Sequence, residues 1–391
     1  MIFSPTRLSK SISIETLSLS RKMSTYRLLA GGYRSTISLL SFDSSNAKLH
    51  VISDSPAPSN ASWLELSPSK SGVLYSLSED DKGLALSLKF DGKDRVEITG
   101  ERETNGVPAH VCVLKDGSGI IAGNYGGGSI IYFPIDSDGK LSKTSESFPL
   151  KFPFVYEGKE APVPDRQDTP HPHQIVEGEK GTLYVPDLGN DRIWVIERQG
   201  EQGFSIKGYL QCPEGDGPRH AVISPDGKHL YVLTELSNNI IVFSLNDSTY
   251  PAHPLPDFET SILPPGAPKP FVGVMSAAEL LQHPSIPGVL YASNRGEVEA
   301  KKGKKDAVEG DTIAICLLSA DGLKIEEIKQ VRTDCDFIRA MQISPDGQYV
   351  ALAGQNGGGV EIWKITGERG DVWKLAAKEE SITKITDFVW V

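Results

Sequence analysis

The sequence lacks several features that would settle a fold or a compartment at once. No run of 18 apolar residues occurs in its 391 residues, which excludes a membrane-spanning helix. Cysteine is scarce. Cys112, Cys212, Cys316 and Cys335 are scattered, form no CxxC pair and follow no secretory apolar segment, so reduced thiols in an intracellular compartment are expected. Positive charge is in deficit, with 40 Lys and Arg against 51 Asp and Glu and a net charge of −11. That balance argues against nucleic acid or a membrane surface as partner, and an anionic small substrate would need a local cluster of arginines. Apolar spacing of helical period is missing as well, so no segment can serve as a βαβ crossover. There is no GxSxG elbow. Gly126-Gly127-Gly128 lies between two apolar runs without the Lys-Ser/Thr of a phosphate loop, and reads as a hairpin turn.

Turn residues are plentiful instead, with 38 Gly and 26 Pro. Residues 217–245 hold a complete unit: an alternating run from His220 to Ser224, the turn Pro225-Asp226-Gly227, a second run from Leu230 to Leu233, the turn Ser237-Asn238-Asn239, and a third run from Ile240 to Leu245. The same grammar recurs around Ser67-Pro68-Ser69, Lys115-Asp116-Gly117, Gly178-Glu179-Lys180-Gly181, Ile286-Pro287-Gly288 and Ser344-Pro345-Asp346-Gly347. Copies fall roughly 45 to 65 residues apart, the period of a β-propeller, in which blades bury their faces on neighbours and ring closure removes edges. Residues 28–42 resemble the later half of a unit, and residues 382–390 can supply the missing part. The expectation is an all-β, seven-bladed β-propeller forming a single domain over residues 25–391. A pair of β-sandwiches is the alternative, but it would not explain the recurring turns.

Residues 1–24 are serine-rich and carry Arg7, Lys10, Arg21 and Lys22 against Glu15. They read as a disordered tail, a weak targeting segment, or the product of a start upstream of Met23. A cytoplasmic location is expected, or a mitochondrial one if the segment is a transit peptide. Residues 247–270, rich in proline, read as a surface excursion, and residues 298–310, with Lys301, Lys302, Lys304 and Lys305, as a solvated loop.

Hairpin-connected strands run antiparallel, so the start of a unit's first strand and the end of its second lie at one end of the sheet. Five units give such pairs: His110 with Asn124 and Tyr125, His173 (with His171 two residues earlier) with Asp187, Arg219 with Glu235, Glu279 with Arg295, and Arg339 with Gln355, at offsets of 14 to 16. Around one axis these side chains converge on one mouth of the channel. Several arginines there suit an anionic ligand, and Glu235 or His173 can move a proton near neutral pH. Ion pairing within blades is the structural alternative. His171-Pro172-His173 offers two metal-type side chains, but the local sequence fixes no third, and neither a metal nor a cofactor is expected.

At these positions the sequence resembles the lactonase family of seven-bladed propellers, which includes propeller-type 6-phosphogluconolactonases and fungal carboxy-cis,cis-muconate cyclase. The matching words are Asn124-Tyr125-Gly126-Gly127-Gly128-Ser129, Pro170-His171-Pro172-His173, Asp187-Leu188-Gly189-Asn190-Asp191-Arg192, Gly217-Pro218-Arg219-His220, Glu235-Leu236-Ser237, Ala277-Ala278-Glu279 and Ser293-Asn294-Arg295-Gly296. The resemblance implies His173, Arg219, Glu235 and Arg295 as catalytic residues. Strand-end position adds His110, Asn124, Tyr125, His171, Asp187, Glu279 and Arg339 as substrate-binding candidates. The resemblance also implies hydrolysis of a sugar lactone, with lactone-forming cycloisomerisation of a muconate as the alternative; a non-enzymatic binding platform is the third reading. Which of His173 and Glu235 is the base stays open, as does the oligomeric state.

Overall fold

A computed structural model describes residues 25–391 apart from 105, 143–145, 201–202, 247–248, 257 and 268–273. The reading of residues 1–24 lies outside the described residues. The chain forms seven four-stranded antiparallel sheets, the blades of a propeller. Blade 1 closes the ring: the C-terminal strand Ile385–Trp390 is innermost and pairs with Thr25–Gly32 in the register Leu28 with Trp390 and Ala30 with Phe388. The half-unit expected near the N-terminus is therefore completed by the opposite end of the chain.

Blade 5 shows why the turns recur. Pro218–Ile223, His229–Thr234 and Asn239–Ser244 pair in order. In the first turn, Asp226 Oδ1 accepts from Ser224 Oγ at 2.6 Å and from the Lys228 amide at 3.2 Å, while Gly227 takes φ +72°. Asp346 repeats the arrangement in blade 7 with Ser344 and Gln348, and Gly347 takes φ +71°. A short acidic side chain that closes the turn and a residue free to adopt positive φ are what a tight connection requires.

Each blade has a fourth, outer strand that the three-run pattern omits. In blade 4 it is Gly203–Gln211, half-exposed along most of its length and so lacking the apolar signal of the inner strands. In blade 5 it is Thr260–Ser261, which corrects the reading of residues 247–270 as a plain excursion: Phe258 and Ile262 on either side are buried. The lysine-rich insertion also differs from expectation. It starts with a short helix, Glu297–Lys301, in which Lys301 packs inward to pair with buried Glu297 at 2.8 Å. Lys302 stays exposed.

The core is divided among the interfaces. Seven clusters of buried residues each straddle two neighbouring blades, for example Leu233, Val242 and Phe258 of blade 5 against Leu280, Leu290 and Cys316 of blade 6. Trp194 is buried in one of them, stacked on Phe152 at 5.4 Å. The four cysteines are free thiols. No helix among the described residues is long and apolar enough to cross a membrane.

Candidate active site at the channel mouth

Where the inner strands open at one end, a cavity of about 340 Å³ is lined by Tyr33, Glu79, Ala109, Tyr125, Arg166, His173, Arg219, Glu235, Ser276, Arg295, Phe337, Arg339 and Gln355. Seven blades supply only short strand ends to this rim, so groups far apart in sequence meet within one small space.

Glu235 lies at its centre. It follows His229–Thr234 in blade 5, and its amide donates to Gly217 O at 2.7 Å. Three guanidinium groups converge on its carboxylate: Arg166 Nη2 at 2.6 Å, Arg219 Nε at 3.0 Å and Arg295 Nη2 at 3.2 Å. Burial would raise its pKa, but Arg295, Arg219 and Arg166 outweigh burial and hold it down to about 2. The carboxylate is thus charged throughout the neutral range and already engaged.

Arg219 is 1% exposed and is braced from below as well. Its Nη1 donates to Ala278 O and approaches Glu279 Oε1 at 3.4 Å. Arg295 donates to Ala277 O at 2.7 Å, lies over the Phe337 ring at 4.9 Å, and is pushed by burial down to about 10. Arg339 is clamped by Tyr33 and by both oxygens of Glu79 at 3.1 Å each.

His173 is 5% exposed, and its Nδ1 has no hydrogen-bond partner among the described residues. Burial, then Arg219, His220, Arg339 and Arg295, put its pKa well below the ordinary histidine value, so the ring is neutral at pH 7. A neutral imidazole beside Arg219, Arg339 and Arg295 is a proton acceptor on this wall.

Five of the candidates read from the sequence stand behind the cavity wall rather than in it. Asn124 donates to Thr104 O and to Ser129 Oγ at 3.1 Å and ties the blade 3 hairpin together. Asp187 accepts from the His171 amide at 2.7 Å, Asn190 Nδ2 at 2.6 Å and Trp194 Nε1 at 2.8 Å, leaving no oxygen for a ligand. His171 stacks on Tyr125 at 4.4 Å, and its ring nitrogens face Tyr125 O at 2.9 Å and Asp168 at 2.8 Å. Both partners are acceptors that face the ring nitrogens, so neither nitrogen is presented to a metal. Among the described residues no group of three or more His, Cys, Asp or Glu is placed to hold a metal. His110 packs between Trp63 at 4.3 Å and His220 at 6.5 Å. Glu279 faces away from the cavity, with Oε2 3.1 Å from His220 Nδ1. Strand position alone brought these residues to the right end of the blade, but it does not say which side of the wall a side chain takes.

The structure also adds residues. Tyr33 and Glu79 follow the second strands of blades 1 and 2, the position that Glu235 occupies in blade 5, so the same rule applied to those blades finds them. Arg166 comes from the long connection between Phe148–Lys151 and Val176–Glu177, and Phe337 sits at φ +64° beside the start of blade 7. Neither carries a repeat signal.

His173 in the wall and His110 and His220 behind it are all buried with lowered pKa, burial being the largest cause in each. A histidine whose folded pKa lies below its unfolded value costs stability as pH falls below about 6.5. Carboxyls with raised pKa, such as Asp216 at about 7 and Asp311 at about 6, act in the opposite sense. The histidine contribution is therefore isolated by difference: His110→Gln is expected to lose less stability than wild type between pH 7 and pH 5. Parallel curves of thermal midpoint against pH for the two proteins would refute this.

The model of the family described as "Lactonase, 7-bladed beta-propeller" matches residues 27–387. The chain belongs to this lactonase family. Among its relatives, an Arthroderma benhamiae protein named "Probable 6-phosphogluconolactonase" is 29% identical over 369 residues, covering 92% of this chain and 87% of that one. The 6-phosphogluconolactonase of Formosa agariphila is 26% identical over 350 residues, covering 87% and 91%. Solved structures share the fold: a Lactobacillus plantarum protein has a TM-score of 0.78 at 24% identity, covering 94% and 99%. The periplasmic gluconolactonase of Pseudomonas aeruginosa has a TM-score of 0.76 at 23% identity, with the same coverage. As a lactonase-family propeller, the chain places its densest polar chemistry where the lining residues of all the blades meet.

Proposed function

We propose that this cavity hydrolyses a sugar lactone bearing an anionic group, of the 6-phosphogluconolactone type. The observation that carries the reading is the pairing of a neutral His173 with Arg219 and Arg295 in one cavity. Ester-ring hydrolysis needs an acceptor for the proton of water and donors for the oxygen that becomes negative. Water loses its proton to His173 as its oxygen bonds to the lactone carbonyl carbon. The carbonyl oxygen takes the negative charge and is held by the inner guanidinium groups. The tetrahedral intermediate then collapses, the bond to the ring oxygen breaks, and the proton on His173 passes to that oxygen. The product is an open hydroxy acid, which releases its acid proton to solvent and leaves its carboxylate beside the arginines.

Glu235 has a different role in this scheme. A carboxylate held at about 2 by three cations is a weak base, so it serves to align Arg166, Arg219 and Arg295 and to offset their mutual repulsion. Names of relatives support the substrate class, since they include 6-phosphogluconolactonase. Purified protein is expected to accelerate opening of 6-phosphogluconolactone over the spontaneous rate and to leave carboxy-cis,cis-muconate unchanged. Lactonisation of the muconate with no lactone hydrolysis would replace this reading by the cycloisomerase one.

A further inference from the structure

We propose that Arg166 is the specificity-determining residue that reads the phosphate of the substrate at the outer end of the cavity; this rests on the lactonase reading for the inner end. The four arginines of the site are not equivalent. Side-chain exposure falls from 39% for Arg166 to 15% for Arg339, 6% for Arg295 and 2% for Arg219. The bonds made by each group follow the same order of depth. Arg339 is neutralised by Glu79, and Arg219 is shared between Glu235 and Glu279. Arg295 reaches Glu235 and a backbone carbonyl from within the wall.

Arg166 uses only Nη2, which donates to Glu235 at 2.6 Å and to Tyr125 Oη at 3.4 Å. Its Nε and Nη1 make no hydrogen bond among the described residues. One side of the guanidinium is thus fixed to the Glu235 carboxylate, while the Nε and Nη1 hydrogens remain as separate donors on a side chain that is 39% exposed at the cavity. Charged N–H groups of this kind are the donors from which phosphate oxygens accept short, strong hydrogen bonds. A substrate that enters with its lactone toward His173 leaves its charged end at these donors.

The arginine is also held in place beforehand. Its amide donates to Val163 O at 2.9 Å. Next to it, Gln167 is fully buried, donating to Leu188 O at 3.0 Å and accepting from the Val163 amide at 3.1 Å. Farther back, Asn190 holds the same connection through the Val155 amide at 2.9 Å and Pro153 O at 3.1 Å, and Asp187 in turn holds Asn190. Little ordering of the loop remains to be done when a ligand binds.

The test is calorimetric titration of wild type, Arg166→Ala and Arg166→Lys with 6-phosphogluconate, gluconate and inorganic phosphate, beside turnover of the phosphorylated and unphosphorylated lactones. Wild type is expected to bind 6-phosphogluconate about ten- to a hundredfold more tightly than gluconate, the range for charge-assisted hydrogen bonds. Arg166→Ala should erase that preference, weakening 6-phosphogluconate far more than gluconate, and Arg166→Lys should restore part of it. In turnover, the fall in kcat/KM should be larger for the phosphorylated lactone than for the unphosphorylated one. A folded Arg166→Ala that keeps the phosphate preference, equal losses for both ligands, or a wild type without the preference would each overturn the assignment. If wild type opens neither lactone but the preference is present and vanishes in Arg166→Ala, the lactonase reading fails and this assignment stands.

Discussion

Replacing His173 by Gln is expected to lower kcat for lactone hydrolysis by about 10²- to 10⁴-fold with little change in KM, the span over which general acid–base groups act. Glutamine keeps the polarity and much of the volume of the ring but cannot relay a proton. The pH profile of the wild type gives an independent check. Burial and the arginines around it hold the pKa of His173 well below its ordinary value, so in the free enzyme the neutral base persists into acid and kcat/KM falls only there. An anionic substrate bound in the same cavity offsets part of the arginine charge and raises the His173 pKa, which moves the acid limb of kcat to higher pH than that of kcat/KM. Coincident limbs, or a His173→Gln protein active within tenfold of wild type, would point to another base.

Arg219→Met is expected to lower stability by about 3–5 kcal/mol, the usual result of removing one member of a buried ionic network. Methionine matches the stem and leaves Glu279 with His220 alone, while Glu235 loses one of its three cations and Ala278 O loses its donor. Arg219→Lys should recover only part of the loss, because one ammonium cannot span both carboxylates as the guanidinium does. Equilibrium urea unfolding measures both variants. A change below about 1 kcal/mol for Arg219→Met would mean that the network contributes little beyond its own desolvation.

The ring and its closure were legible because turn chemistry repeats. Ser-Pro-Asp-Gly at 224–227 and again at 344–347 marks the same place in two blades, and the half-unit at 28–42 called for a partner strand that Ile385–Trp390 provides. Outer strands were not legible. Gly203–Gln211 is half-exposed and alternates too weakly to stand out from a loop. At the site, strand-end position located Tyr125, His173, Arg219, Glu235, Arg295, Arg339 and Gln355, all of which line the cavity. The same position could not separate Glu235 from Glu279, since a bulge in the pairing between Ala277 and Leu280 decides which way that strand presents its side chains. Arg166 was out of reach altogether. It belongs to a connection with no counterpart in other blades, and only the buried anchors Gln167 and Asn190 reveal that the loop is fixed over the cavity.

Proton release at constant pH during opening of 6-phosphogluconolactone, corrected for the spontaneous reaction, tests the central claim most directly. Wild type should exceed the background rate by orders of magnitude, whereas His173→Gln and Arg295→Ala, shown to be folded, should fall close to it. Lactone opening in both variants at the wild-type rate would contradict the placement of the chemistry in this cavity.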